Sequence, residues 1–376
     1  MKKLSLSFYT NIPTPNQDDF FEELSRLFHF NVIFYEKTES DRNWVLSKKN
    51  YKHIYLSDSI LFIWLKKIYK DFHFSWGIFK CSINEKSQFV ILSGNYFALN
   101  TIIAFFILKI RGKKLGFFSE KISDSIGIRK IIKKIILFPF LKCLNFMIFV
   151  GACSKDSYNS FGFHFKHYVV IPYNINNNNF KREHLQGKKL IEFNDVYKTH
   201  SRFTLLTSGA LIERKGIDFA IKIIELARNS ISENIQLLIL GEGPLKKSLQ
   251  HLAKEQSVYL LGFKQKDEIP YYFNISDVFL FCSRYDGWGL VINEAISTGL
   301  PCLVSKDVGS SELIVNHANG FVCDNACLQT YVDAIKLLYN DRILLKSISQ
   351  NNQQLADTIN SAAMAIKLNL FLQNNF

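Results

Sequence analysis

The sequence predicts an α/β protein of two domains, each a parallel sheet with helices on its faces, that share a cleft. Three observations carry the prediction. The chain has 376 residues, about twice the usual domain size. Short apolar runs alternate with helical patterns in both halves, which is how βαβ units and parallel sheets read in sequence. The unusual residues gather in loops that leave the strands, where open α/β sheets hold ligands. With 48% apolar residues, 34 of them Phe, and 21% charged, the chain can bury two cores, and the disordered and collagen-like classes are excluded.

Taken in order, residues 4–10 alternate and run into Asn11-Ile-Pro-Thr-Pro15, after which Phe20, Leu24, Leu27 and Phe28 recur at helical spacing. Strand, loop and helix are expected there. Residues 32–35, 89–92, 147–150 and 168–171 suit buried parallel strands. The most apolar window, 135–153, contains Pro139, Lys142 and Asn145, each costly in a lone spanning helix, so it reads as helix plus buried strand.

Five asparagines fall within residues 174–179 and polar residues dominate to position 200. The expected division is a first domain over 1–175, a linker over 176–200, a second domain over 201–350, and a C-terminal helix over 351–376 that returns to the first domain. In the second domain the reading is strand 203–208, helix from 216, strand 237–240, helix from 245, strands 258–261 and 278–281, helix 290–298 and strand 302–305.

The formal charge of +13 implies an anionic partner: nucleic acid, acidic lipid or a phosphorylated substrate. Ten Lys/Arg stand between Lys109 and Lys142 against only Glu120 and Asp124, so the excess is local. The stretch 128–137, closing at Leu137, carries Ile128, Ile131, Ile132 and Ile135 on one face and Arg129, Lys130, Lys133 and Lys134 on the other. This basic amphipathic helix could lie on an anionic membrane. The alternative is a core-facing helix with a solvated basic side. Nucleic acid is not expected.

Cysteines at 81, 143, 153, 282, 302, 323 and 327 lack paired metal spacing and disulfide-scaffold density, so they read as reduced core residues. No charged start with a long apolar run and small-residue cleavage site is present, which gives the expectation of a cytoplasmic protein.

The loops that follow the second-domain strands hold the candidate site. Arg214 and Lys215 precede Gly216 at a helix start, where backbone amides and the helix dipole favour an anion such as a diphosphate. Asp286-Gly-Trp-Gly-Leu-Val-Ile-Asn-Glu294 sets two carboxylates eight positions apart, with glycines that leave amides open to a ligand. A carboxylate accepts two hydroxyl hydrogen bonds at once, which suits sugar diols. Taken singly, these features also fit an exposed basic turn and a helix-stabilising acid pair. Dinucleotide binding fits poorly, since Gly241-Glu-Gly-Pro244 lacks the third glycine, and no phosphate loop of the nucleotide-hydrolase type occurs.

In ordered motifs the sequence resembles the retaining GT-B glycosyltransferases of family 4, which move sugars from nucleotide diphosphates to saccharides or lipids. Ser208-Gly-Ala-Leu-Ile-Glu-Arg-Lys-Gly-Ile-Asp218 looks like the family's phosphate loop, and Leu240-Gly-Glu-Gly-Pro244 and Leu261-Gly-Phe263 look like its next turns. Ser276-Asp277, Asp286-Gly-Trp-Gly289, Glu294-Ala295, Gly299-Leu-Pro301, Gly309-Ser-Ser-Glu312 and Asn319-Gly320 follow in family order.

The resemblance implies a GT-B fold, two Rossmann-like domains facing across a cleft, and a UDP- or GDP-sugar donor with no separate cofactor. It implies that Glu294 binds the donor ribose and Lys215 the phosphates. Asp286 and the amides of Gly287, Trp288, Gly289 and Leu290 would hold the sugar and phosphates. The loop Gly262, Phe263, Lys264 would meet the base, and Gly209 opens the phosphate loop. Asp286, Arg214 and Lys215 are the catalytic candidates.

Two positions depart from the family pattern: Asp286 stands where Glu is usual, and Ala210 where Arg often stands, with Arg214 able to supply that cation. On the acceptor side, Asn11-Ile-Pro-Thr-Pro15 looks like the family's opening loop. Glu120 is the acceptor candidate, with charge balance for nearby lysines as its alternative. No Asp-x-Asp metal motif is present. The implied role is sugar transfer to a saccharide or lipid-linked acceptor of bacterial surface polysaccharide. The alternatives are a same-fold epimerase or phosphorylase, and a basic membrane or nucleic-acid binding protein with a vestigial site.

Overall fold

The computed structural model describes residues 3–37, 49–56, 74–94, 98–122, 127–253 and 257–376. Asp124 and the side chain of Arg129 lie outside the described residues. The chain divides into two compact units, Met1–Ile175 with Ser361–Phe376 and Asn176–Asn360.

The first unit runs β1 (Ser5–Thr10), α1 (Pro15–Leu27), β2 (His29–Phe34), β3 (Lys52–Tyr55), α2 (Gly77–Ile83), β4 (Phe89–Ser93), α3 (Leu99–Ile110), β5 (Lys114–Ser119), α4 (Ile128–Lys142), β6 (Phe146–Phe149), α5 (Ala152–Ser160) and β7 (Tyr168–Val170). The strands form one sheet in the order β3-β2-β1-β4-β5-β6-β7, all pairings parallel. Every residue of β4 is buried, as helices on both faces of a parallel sheet require. Helix α1 starts at Thr14, whose hydroxyl accepts from the Gln17 amide at 3.3 Å, with Pro15 at the first helical position. Phe117, Phe118 and Ser119 close β5.

In the second unit come α6 (Gly187–Tyr197), β8 (Phe203–Ser208), α7 (Ile217–Ser230), β9 (Ile235–Leu240), α8 (Lys246–Leu252), β10 (Val258–Leu260), α9 (Ile269–Asn274), β11 (Val278–Phe281), α10 (Val291–Thr298), β12 (Cys302–Ser305), β13 (Gly320–Cys323), α11 (Gln329–Asn340) and α12 (Arg342–Ile359). The sheet order is β10-β9-β8-β11-β12-β13, again parallel. Helix α7 turns Ile217, Ala220, Ile221 and Ile224 onto the strand residues Leu205, Leu237 and Leu280 in one core. The chain runs outward from β8 to β9 and β10 and then crosses back to β11 on the other side of β8, so the crevice between β8 and β11 is the topological switch point where ligands bind in such sheets.

Three expectations change. The stretch 176–200 is not a linker: two 3-10 turns and α6 fold it onto the second unit, where the Phe193 ring packs 4.9 Å from Tyr272 and 5.4 Å from Tyr271. The C-terminal segment is two helices. Asn360 is extended and ends α12, and only α13 (Ser361–Asn375) belongs to the first unit, burying Met364, Ala365, Leu368 and Leu372. Cys143, Cys153 and Cys327 are exposed thiols rather than core residues, because they sit just past a helix, in a first helical turn and in a loop; Cys282, Cys302 and Cys323 are buried.

Of the two readings of α4, the core-facing one does not hold, since its isoleucine stripe does not face the core. Leu137 and Leu141 are buried, whereas Ile128, Ile131, Ile132 and Ile135 are exposed. The Phe140 ring, stacked 4.5 Å from Phe105 and 5.3 Å from Phe117, fixes the helix on that other side.

Candidate functional site

The two loops at the β8/β11 switch point hold the predicted cations and the first carboxylate together. After β8 the chain passes Gly209 and Ala210, makes a 3-10 turn over Glu213–Lys215, and enters α7 through Gly216. Gly216 has φ +64°, and a Cβ there would stand 2.1 Å from the Cys282 carbonyl oxygen, so only glycine lets the two loops touch. After β11 come Cys282 to Leu290, with Asp286 in a parallel bridge to Val308. Gly289 has φ +85° and backs onto Phe281, Val308 and Ser310.

The Lys215 ammonium is paired with Asp286 Oδ2 and lies 5.2 Å from the centre of the Phe281 ring. Arg214 Nη1 stands 3.5 Å from the same oxygen and donates to the Tyr285 carbonyl at 2.8 Å. Asp286 Oδ1 accepts from the Trp288 amide at 3.4 Å. Arg214 is the exposed cation of the two, its side chain 44% exposed against 16% for Lys215. Among the described residues the amides of Gly289 and Leu290 donate to no protein group, and they lead straight into α10. Two cations and two open amides at a helix start make an anion site whose one carboxylate is already in contact with a cation.

Glu294 sits in the first turn of α10 and is half-buried. Burial pushes its carboxyl up from the ordinary 4.5 to about 7, with Lys266 pulling the other way.

The remaining candidates distribute unevenly. The Trp288 amide, the group expected to meet a ligand, donates to Asp286 Oδ1, and its indole is buried and donates to Asn293 Oδ1 at 2.9 Å, which makes it the floor of the loop. The Gly209 amide donates to the Leu240 carbonyl at 2.9 Å. Phe263 is exposed after β10, and the Lys264 ammonium lies 5.5 Å from the Tyr272 ring centre. Glu312 lies in the 3-10 turn Gly309–Leu313, which is tied to the motif by Gly309 N to Asp286 O at 3.0 Å and Ser310 N to Trp288 O at 2.8 Å. In the first unit, Asn11 follows β1 at that sheet's own switch point, and among the described residues its buried side-chain oxygen has no partner. Glu120 follows β5 and accepts from the Tyr173 hydroxyl at 2.7 Å.

Sequence reasoning missed the residues that clamp the two loops. Arg284 donates to both Asp218 oxygens at 2.9 and 2.7 Å and to the Glu213 carbonyl at 2.6 Å, and its guanidinium lies 3.9 Å from the Phe219 ring centre. Burial pushes the Asp218 carboxyl up, but the hydrogen bonds and charge of Arg284 outweigh it and the net shift is downward. Ser283 Oγ donates to the Arg214 carbonyl at 3.0 Å, and Asn325 Nδ2 donates to the Ser283 carbonyl at 3.0 Å. The available signal was an Arg and an Asp in the loops of two neighbouring strands.

Residues 189–355 match the family model of the glycosyl transferases group 1. The matched stretch lies within the second unit. Among curated relatives, an undecaprenol-diphosphate-linked α-1,3-galactosyltransferase from Escherichia coli is 30% identical over 124 residues, 32% of each chain. A GDP-mannose-dependent phosphatidylinositol monomannoside mannosyltransferase from Mycobacterium tuberculosis is 27% identical over 162 residues, 40% of this chain and 42% of that one. The chain spans between a third and a half of the length of the curated relatives it matches. Anabaena HepE in complex with UDP superposes with TM-score 0.75 over 99% of this chain and 100% of that one at 15% identity, which shows the GT-B fold of two Rossmann-like units. The group 1 match covers the whole β8–α7 and β11–α10 clamp.

Proposed function

We propose that the protein is a retaining glycosyltransferase that moves a sugar from a UDP- or GDP-sugar to a saccharide or lipid-linked saccharide acceptor in surface polysaccharide synthesis. The observation that carries the reading is the convergence of Arg214, Lys215, Asp286 and the open amides of Gly289 and Leu290 at the switch point of the second sheet. Support for the donor class comes from the UDP held by the HepE neighbour and the GDP-mannose used by the mycobacterial relative. Support for a lipid-linked acceptor comes from the undecaprenol-linked substrate of the E. coli relative. Such an acceptor would keep the enzyme in the cytoplasm, at the inner face of its membrane.

In this reading the donor diphosphate takes the Lys215 ammonium from Asp286, and the freed carboxylate accepts from sugar hydroxyls. Glu294 accepts from the two ribose hydroxyls, and Phe263 and Lys264 border the base. As the bond from the anomeric carbon to the diphosphate oxygen breaks, its electron pair stays on the phosphate. Lys215, Arg214 and the two amides stabilise that charge where it develops. The acceptor oxygen bonds to the same face of the anomeric carbon, and its proton passes to the departing phosphate oxygen, which preserves the configuration.

The test is nucleotide-sugar binding and slow donor hydrolysis by the purified protein. UDP- or GDP-sugars are expected to stabilise it thermally, by roughly 2.7 kcal/mol at a hundred times the dissociation constant, and Glu294→Ala to abolish that gain. No shift with any nucleotide sugar, or an unchanged shift in the variant, removes the proposal.

A further inference from the structure

Helix α4 presents an apolar stripe that stands exposed among the described residues of the first unit. Ile128, Ile131, Ile132, Ile135 and Ile136 are 52 to 74% exposed, and Phe138 is also exposed. The neighbouring α3, joined to α4 by the Phe105–Phe140 contact and by Lys109 Nζ donating to the Cys143 carbonyl at 2.6 Å, adds exposed Phe106 and Ile110, the latter 86% exposed. Soluble proteins rarely leave so many contiguous branched aliphatics in water.

We infer that this face docks on an anionic lipid surface, with α4 lying in the plane of the interface and its isoleucines in the acyl region. The arrangement of charge selects the occupant. The helix holds five cations, Arg129, Lys130, Lys133, Lys134 and Lys142, and no acid. The described lysines do not form the outermost face. Lys130 and Lys133 lie 5.0 and 5.7 Å from the centre of the Phe161 ring, back on the body of the unit, and Lys142 lies 5.1 Å from the Phe138 ring. An aliphatic ridge flanked by cations set behind it places the ridge among acyl chains and the cations at the headgroups, where each attracts acidic lipid.

The same arrangement argues against the other occupants. A nucleic acid would meet isoleucine before lysine. A second copy packed face to face would oppose five cations with five. Spanning is ruled out by length, since the 15 residues of α4 reach only about 22 Å against a hydrocarbon core of about 30 Å.

The test is flotation of the full chain with vesicles of equal parts phosphatidylglycerol and phosphatidylcholine, compared with phosphatidylcholine alone. Binding is expected only to the anionic vesicles, falling with added salt. The paired exposed changes Ile131→Ser and Ile135→Ser are expected to weaken it at least about tenfold. The exposed Ile343→Ser in the second unit should leave it unchanged, with unaltered melting curves in both variants. The Ile135→Trp variant should shift its fluorescence to the blue on anionic vesicles.

Equal binding by the double serine variant, or no shift from the tryptophan, overturns the inference. A dimer in vesicle-free solution that the same double substitution dissociates also overturns it, in favour of a second copy. No nucleotide sugar enters this assay, so its failure leaves the donor reading untouched and the reverse also holds.

Discussion

The Glu294 carboxyl gives the sharpest test of the donor site, because burial in the ligand-free protein and use by the donor demand opposite protonation states. Its pKa stands at about 7. About 90% of molecules would then be ionised at pH 8 and about 10% at pH 6. If only the ionised form accepts both ribose hydroxyls and binds, the dissociation constant of a nucleotide sugar rises about tenfold from pH 8 to pH 6. The diphosphate of a nucleotide sugar is a diester without a proton to gain in this window, so the titration belongs to the protein. Isothermal titration calorimetry across the window reads it directly.

Stability moves the other way. The folded pKa lies above the unfolded 4.5, so the stabilising preference for the neutral acid is fully present below pH 4.5 and is lost as pH rises through 7. A shift of this size is worth up to about 3 kcal/mol, and partial exposure of the side chain lowers that to roughly 2 kcal/mol. Glu294→Gln, neutral at every pH, should therefore melt several degrees above the parent at pH 8 and together with it at pH 5, while binding donor weakly at both. Donor affinity that stays flat from pH 6 to pH 8 in the parent, or a variant that binds as well as the parent, refutes the ribose role.

Other outcomes follow from the same clamp. Lys215→Met should lower kcat/KM by about two to three orders of magnitude, as expected for removing a donor to the charge that develops on the leaving group. Arg214→Met, at a more exposed position on the rim, should cost about tenfold in the same steady-state assay; equal effects from the two would contradict the assignment of Lys215 as the principal phosphate contact. Arg284→Met strands the Asp218 carboxylate and the Glu213 carbonyl and should destabilise the domain by about 1–2 kcal/mol. Because Arg284 acts by holding loops, it should raise KM for the donor more than it lowers kcat, and a fall in kcat alone would point to a different role.

What the sequence made legible was whatever depends on local backbone chemistry. The strand ends of the second unit are marked by glycines that permit close approach, such as Gly216 against the Cys282 carbonyl, and the motif residues hang on those ends in order. Burial direction was not legible. The isoleucine period of α4 announces a stripe but not which way it turns, and Phe140, Leu137 and Leu141 decide that from the other side of the helix. The place of the Trp288 indole was not legible either, because a motif gives no sign that Asn293 waits behind it. Helix α6 reads as polar coil since its hold on the unit comes from Phe193 meeting tyrosines almost eighty residues away. Edge strand β3, with a half-exposed surface, has too weak a pattern to stand out.

The pairing of Lys215 with Asp286 also bears on the shorter carboxylate that this chain carries. In the ligand-free protein the aspartate already meets the ammonium through one oxygen while the other accepts from the Trp288 amide, so neither charge is left unpaired in a partly buried site. In the proposed reaction a donor diphosphate would offer Lys215 a more negative partner and would release the Asp286 oxygen as a sugar hydroxyl arrives to use it. The exchange conserves the number of charge-assisted contacts, which keeps the cost of opening the ion pair small. Lengthening the arm by Asp286→Glu would carry the carboxylate past the ammonium, so a longer residue would gain reach to a sugar only if Lys215 gave up its ligand-free partner. On the proposed function, the position of Lys215, held by the clamp of Arg284 on the turn before α7, would therefore decide whether aspartate serves at 286.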